Sequence, residues 1–149
     1  MSLIRCQELA EKGLKKINWV SRHMPVLQTL EKTYADQQPF KGLKISICIH
    51  LEAKTAYLAL VLKQCGATVT ATGSNPLSTQ DDIAAGLDAS GVKVYAWHGA
   101  TEAEYLQHLR CTLDPAPDLV IDDGGDLINL LHAEKADLLP RIMGGAEET

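Results

Sequence analysis

The 149-residue chain is 46% hydrophobic and 22% charged, which suits one globular domain with a real core and argues against disorder. Its net charge of −5 is scattered, and no Lys/Arg stripe could neutralise a run of phosphates, so nucleic acid is not an expected partner. No apolar run reaches bilayer-spanning length, Met1 to Lys16 lacks the apolar core of a signal peptide, and Cys6, Cys48, Cys65 and Cys111 lie far apart without a CxxC pair; a soluble cytoplasmic protein with reduced thiols, no membrane contact and no bound metal is expected.

Leu3, Cys6, Leu9, Ala10, Leu14, Ile17 and Val20 recur at three- and four-residue spacings, predicting an amphipathic helix from Leu3 to Trp19. A second helix is expected from Val26 to Tyr34, followed by a loop to Gly42. Lys44 to Ile49 reads as a strand, Ala53 to Cys65 as a helix closed by Gly66, and Thr68 to Thr72 as a second strand. This is a βαβ unit, and a right-handed crossover makes its strands parallel. The alternation continues with a helix from Gln80 to Ala89, a strand from Val92 to Trp97, a helix from Glu102 to Leu113, a strand from Leu119 to Ile121 and a helix from Gly125 to Leu139. Gly144-Gly145 reads as the lead into an acidic tail. Four strands separated by helices predict an α/β fold with an open, doubly wound, mainly parallel sheet, Rossmann-like or flavodoxin-like, behind N-terminal helices, as one domain over residues 1–149.

In open parallel sheets ligands bind beyond the carboxyl ends of the strands, so the residues following each strand carry the functional expectation. After the first strand, His50-Leu51-Glu52-Ala53-Lys54-Thr55 packs imidazole, carboxylate, ammonium and hydroxyl into one turn. Glu52 and Lys54 read equally as ligand contacts or as a dipole-favoured helix start with a solvated lysine. After the second strand, Gly73 to Asp81 supplies a polar loop with a predicted N-cap at Ser78 or Thr79. The fourth strand ends in Asp122-Asp123-Gly124-Gly125-Asp126, where adjacent carboxylates are costly to desolvate and glycines admit a ligand to the backbone. One Asp can cap the next helix, and function is the better reading of Asp123; a divalent metal is the competing explanation, weakened by the lack of a third clear ligand. No GxGxxG or Walker-type loop occurs. The other histidines, His23, His98, His108 and His132, are assigned surface or packing roles.

Ile17-Asn18-Trp19 with Met24-Pro25-Val26-Leu27, then Ser78-Thr79-Gln80-Asp81, Tyr95-Ala96-Trp97, Asp122-Asp123-Gly124-Gly125-Asp126 and Glu147-Glu148-Thr149, in this order and spacing, resemble S-adenosylhomocysteine hydrolase (adenosylhomocysteinase) through nearly the whole chain. The resemblance implies an NAD-assisted, reversible cleavage of a nucleoside thioether into nucleoside and homocysteine in a homo-oligomeric enzyme, usually a tetramer. It assigns residues 1–149 to the N-terminal part of the substrate-binding domain, without the NAD-binding domain or the family's later catalytic Lys and Asp. The chain alone is therefore expected to be inactive and to hold no cofactor tightly; a non-catalytic nucleoside-binding module is the alternative. Carried over by position, His50 and Asp123 are the implied acid/base groups, Glu148 the contact to the sugar hydroxyls, Ser74, Asn75 and Ser78 pocket-wall residues, and Thr149 the start of a threonine run that touches NAD.

One departure concerns the base. Common family members carry Thr and Glu where this chain has Glu52 and Lys54, beside Thr55. Adenine's N1 acceptor and N6 donor suit a hydroxyl and a carboxylate, whereas hypoxanthine's N1–H donor and O6 acceptor suit a carboxylate and an ammonium. The substitution thus points to tolerance of, or preference for, S-inosylhomocysteine. Otherwise Glu52 and Lys54 simply pair with each other.

Overall fold

A computed structural model of the chain describes residues 1–148. Two helices, α1 (Ala10–Ser21) and α2 (Pro25–Tyr34), precede an alternating series: β1 (Lys44–Cys48), α3 (Ala53–Gln64), β2 (Thr68–Thr72), α4 (Asp81–Ala89), β3 (Lys93–Val94), α5 (Glu102–Leu113), β4 (Leu119–Asp123), α6 (Asp126–Glu134) and β5 (Gly144–Glu148). The five strands form one sheet in the order β3-β2-β1-β4-β5, every pair parallel. This is the open, doubly wound arrangement expected from the alternation.

Strand periodicity divides the core between the two faces of the sheet. Ile45 and Ile47 of β1 join Val69, Ala71, Ile83, Leu87 and Ile17 in the cluster beneath α1, α3 and α4. Cys48 of the same strand points the other way, with Val120, Leu109, Leu113, Leu127 and Leu131 beneath α5 and α6. Ser46 shares that second face, where its hydroxyl donates to the Thr112 carbonyl of α5 at 2.7 Å.

Several boundaries differ from the sequence expectation. Leu3 is not helical: it pairs with Tyr95 alongside β3, donating to Val94 O and accepting from Ala96 N, and Cys6 adopts a left-handed φ of 59° before a short 3₁₀ turn leads into α1. The unpaired edge of β3 outcompetes the helical periodicity of Leu3 and Cys6. β3 itself is shorter than the predicted Val92–Trp97 strand, since only Lys93 and Val94 pair with β2. The last predicted helix breaks at Glu134, and Ala136–Arg141 continue as a 3₁₀ turn. The supposed acidic tail is β5, in register with β4 from Leu119↔Gly144 to Asp123↔Glu148. Glycine and glutamate are poor strand formers, so pairing with β4, not propensity, makes this strand. The sheet accordingly has five strands rather than four. Among the described residues no helix is long and apolar enough to cross a membrane.

The first N-terminal helix, α1, is tied to the rest of the fold through α4. Lys12 and Lys16 reach Asp82 Oδ2 at 3.4 and 2.7 Å, and these pairs outweigh the burial that would otherwise raise the Asp82 carboxyl, holding it below its ordinary value. Gly13 and Gly86 permit the close crossing: a Cβ on Gly13 would lie 1.7 Å from the Asp82 carbonyl oxygen. Gly13→Ala should therefore force the helices apart and cost about 1–3 kcal/mol, read as a lowered urea midpoint at unchanged slope. His108 of α5 is 2% exposed, packs edge-on against Trp97 with ring centroids 4.1 Å apart, and its Nε2 has no partner among the described residues. Burial holds this imidazole below its ordinary value, aided by Arg5 and opposed by Glu104. The unfolded chain then binds the proton more readily, so stability is lost as pH falls from about 6.5 toward the folded value. Thermal melts across pH 7 to 5 should show this loss, and His108→Met should flatten it.

Candidate functional site

The sheet changes direction between β1 and β4, because the chain leaves β1 into α3 on one face and leaves β4 into α6 on the other. A crevice opens at such a point, beyond the carboxyl ends of the two strands. β1 and β4 are paired as far as Cys48↔Asp122, so the residues just beyond, His50 two places after Cys48 and Asp123 one place after Asp122, come out near each other.

Strand alternation separates the adjacent aspartates onto opposite faces of the sheet, so they are not desolvated as a pair. Asp122 is fully buried on the α6 side, where its carboxylate accepts from Ile128 N at 2.8 Å and Asp123 N at 3.0 Å. It is thus the cap expected of one Asp, reaching over Gly124 and Gly125, whose φ values of 83° and 77° give the turn a left-handed path. Burial raises the Asp122 carboxyl above its ordinary value despite those donors. Asp123 turns into the crevice. Its Oδ2 accepts the Ser74 hydroxyl at 2.8 Å and lies 3.5 Å from His50 Nε2.

His50 is held from its other nitrogen by Ser78 Oγ at 2.5 Å. The Ser78 hydroxyl also lies 3.0 Å from the Asn75 carbonyl, to which it donates, so it accepts from His50 Nδ1–H. This network assigns the tautomer and leaves Nε2, in neutral imidazole, as the basic nitrogen facing the crevice and Asp123. Nε2 and Oδ2 then need one proton between them, supplied by the imidazole or by a ligand. The arrangement is that of a positioned acid/base pair.

Around His50 lies a cavity of about 470 Å³ lined by Met24, Leu27, Ile49, Glu52, Lys54, Thr55, Leu58 and Glu148. It has an apolar wall and a charged rim, a shape suited to a flat ring with polar edges. Lys54 Nζ pairs with Glu52 Oε1 at 2.9 Å, and this pairing raises the exposed ammonium above its ordinary value, with a smaller push from Glu148. The mutual pairing of these two residues, the alternative to their reading a base, is therefore present.

Of the sequence candidates, His50, Glu52, Lys54, Thr55 and Glu148 line this one cavity; Ser78 hydrogen-bonds to His50, and Asp123, held by the Ser74 hydroxyl, lies beside its other ring nitrogen. Asn75 is exposed and its side chain accepts from Leu77 N, a turn-forming role. Thr149 lies outside the described residues. The predicted N-cap at Ser78 or Thr79 is not formed: α4 begins after Gln80 without a side-chain cap, and both hydroxyls turn back to the Asn75 carbonyl. Tyr105 was not singled out from the sequence, and Glu147 was named only within the closing motif, with no role. Glu147 accepts from Gly124 N at 2.6 Å, and Tyr105 Oη lies 2.9 Å from both Ser74 O and Asp126 Oδ2. Met24 and Leu27 had a signal, since both fall in a motif that carried the family resemblance. Among the described residues no three His, Cys, Asp or Glu side chains converge as a metal site.

The family model described as S-adenosyl-L-homocysteine hydrolase matches residues 3–148. The chain belongs to this family. It is 50% identical to S-inosyl-L-homocysteine hydrolase of Methanococcus maripaludis over 100% of this chain and 36% of that protein. It is 51% identical to adenosylhomocysteinase of Pyrococcus abyssi, covering 95% of this chain and 33% of the relative. S-inosyl-L-homocysteine hydrolase of Methanocaldococcus jannaschii is 51% identical, covering 98% and 35%. The chain thus spans about a third of the length of these relatives. The His50–Asp123 pair and the charged rim of Glu52, Lys54 and Glu148 all lie inside the matched residues.

The tautomer assignment is open to measurement. Ser78→Ala removes the acceptor at Nδ1, so long-range ¹H–¹⁵N spectra of neutral His50 should move from a dominant Nδ1–H form toward the Nε2–H form.

Proposed function

We propose that residues 1–149 form the N-terminal part of the substrate-binding domain of an enzyme that reversibly hydrolyses a nucleoside thioether of homocysteine. The observation that carries this reading is the His50–Asp123 pair at one end of a cavity whose other residues include Glu52, Lys54 and Glu148. His50 and Asp123 exchange protons with the sugar and the attacking or departing group, Ser74 and Ser78 hold them, Glu148 receives the sugar hydroxyls, and the base lies against Met24, Leu27 and Leu58. Asn75 contributes to the pocket wall through its turn, and Thr149 contributes to the contact with cofactor.

The cofactor of this reading is NAD, which supplies reversible hydride transfer when bound. The first strand-to-helix turn, where a doubly wound sheet would receive a dinucleotide phosphate, is Ile49-His50-Leu51-Glu52. It has no glycine, Leu51 is fully buried, and the Glu52 carboxylate stands at the N-cap of α3, so the described residues do not fit NAD's phosphates. NAD binding, a homo-oligomeric tetramer and a cytoplasmic location belong to the whole enzyme in this proposal, and residues 1–148 contribute substrate binding and proton handling.

For the base, the proposal favours hypoxanthine. Glu52 and Lys54 present a carboxylate and an ammonium side by side, and a hypoxanthine edge entering between them gives its N1–H to the first and its O6 to the second. Adenine would set its N1 lone pair against a carboxylate and its amino group against an ammonium. Leaving such groups unpaired in a closed site discriminates strongly.

In the whole enzyme, kcat/KM for S-inosylhomocysteine should exceed that for S-adenosylhomocysteine, and the double change Glu52→Thr with Lys54→Glu should reverse the preference by about a hundredfold. A parent enzyme that strongly prefers the adenosyl substrate would overturn the base assignment. Binding of inosine or adenosine without cleavage by the whole protein would favour a nucleoside-binding module instead.

A further inference from the structure

The Asp123 carboxylate is aimed at His50 by a single hydroxyl, that of Ser74. Ser74 lies in the loop after β2, a partly exposed segment that must itself be held if its hydroxyl is to hold anything. Its amide donates to Ile49 O at 3.2 Å, which fixes one side of the residue. Its carbonyl faces Tyr105 Oη of α5 at 2.9 Å. The same phenol lies 2.9 Å from Asp126 Oδ2 in the first turn of α6. One side chain thus spans the β2 loop and the start of α6, the two segments that flank Asp123.

The phenol is suited to that span. Burial holds the pKa of the phenol far above the ordinary tyrosine value, with Cys48 and Asp126 pushing the same way, so Tyr105 keeps its proton. Its one proton faces two acceptors. Asp126 is exposed and water can satisfy it, whereas the Ser74 carbonyl has no other donor among the described residues. Beneath the ring, Cys48 and Asp122 close a buried layer, and Asp122 in turn fixes the Asp123 backbone through its amide.

We infer that Tyr105 is a positioning residue of the proposed reaction: its hydroxyl fixes the Ser74 carbonyl, so that the Ser74 hydroxyl holds Asp123 Oδ2 toward His50 Nε2. The inference rests on the acid/base reading of His50 and Asp123 and adds to it a residue that touches neither the cavity nor the substrate. Small displacements of a catalytic group are costly in rate, so the effect falls on turnover rather than on binding.

Tyr105→Phe keeps the ring in its place and removes only the hydroxyl. In the whole enzyme this variant should lower kcat about tenfold with KM for the nucleoside thioether changed less than about twofold. Ser74→Ala should do the same, and the double variant should lose no more than either single one, because both remove the same support. Full turnover by Tyr105→Phe, a rise in KM alone, or losses that multiply in the double variant would overturn the inference. A second measurement separates it from the reaction. In the 149-residue chain, the ¹³Cγ resonance of Asp123 should shift in Tyr105→Phe in the same direction as in Ser74→Ala. Unchanged resonances with the fold retained would dismiss Tyr105 whatever the enzyme cleaves. A whole protein that cleaves no nucleoside thioether, with the shifts present, would instead dismiss the proposed function.

Discussion

The site depends on the parallel pairing of β1 with β4. These strands are separated in sequence by three helical crossovers, yet their hydrogen-bonded register carries Cys48 opposite Asp122 and thereby delivers His50 and Asp123 to one crevice. The pairing also sets which side of each strand faces which layer. A slip of one residue would bury Asp123 under α6 and turn Asp122 into the crevice, exchanging their surroundings. The apolar residues that prevent the slip are Ile45 and Ile47 on one face and Val120 on the other.

The two aspartates show how burial assigns different work to identical side chains. Asp122 is enclosed, and its carboxylate spends both oxygens on backbone donors at the start of α6. Asp123 keeps a partly open position, with a hydroxyl on one side and an imidazole on the other. A buried carboxylate with satisfied oxygens is a structural cap, while one left half-solvated beside a basic nitrogen is available for proton exchange. Buried Cys48 and Asp122 and half-buried Tyr105 thus lie beneath the more open layer of Ser74, Asp123 and His50. The cysteines differ in their surroundings: Cys48 and Cys65 are buried, and Cys6 is exposed.

At the other end of the cavity, charge rather than burial dominates. The Glu52–Lys54 pair stands largely in water, where an ion pair contributes little to stability, which leaves it free to separate for a ligand. Such a pair offers one acceptor and one donor at the N-terminus of α3, in a cavity otherwise walled by Met24, Leu27 and Leu58. The motif containing Met24 and Leu27 thus belongs to the site although it precedes the first strand by many residues.

The local alternation of apolar runs and turn residues determined the fold class, the helices α2 to α5 to within a residue or two, and the strands β1, β2 and β4, because their periodicities arise from neighbours along the chain. It also made His50, Glu52, Lys54 and Asp123 legible, since polar groups clustered at the ends of apolar strands have few structural reasons to be there. What the tertiary structure alone decided were features whose cause lies across the fold. β5 exists because β4 offers it an edge, not because Gly144-Gly145-Ala146-Glu147-Glu148 favours a strand. Leu3 is extended because β3 lacks a second neighbour. Tyr105 sits in an ordinary amphipathic helix and has no signature of its own; only packing brings its hydroxyl to the Ser74 carbonyl, and a contact between residues 31 positions apart has no local trace in the sequence.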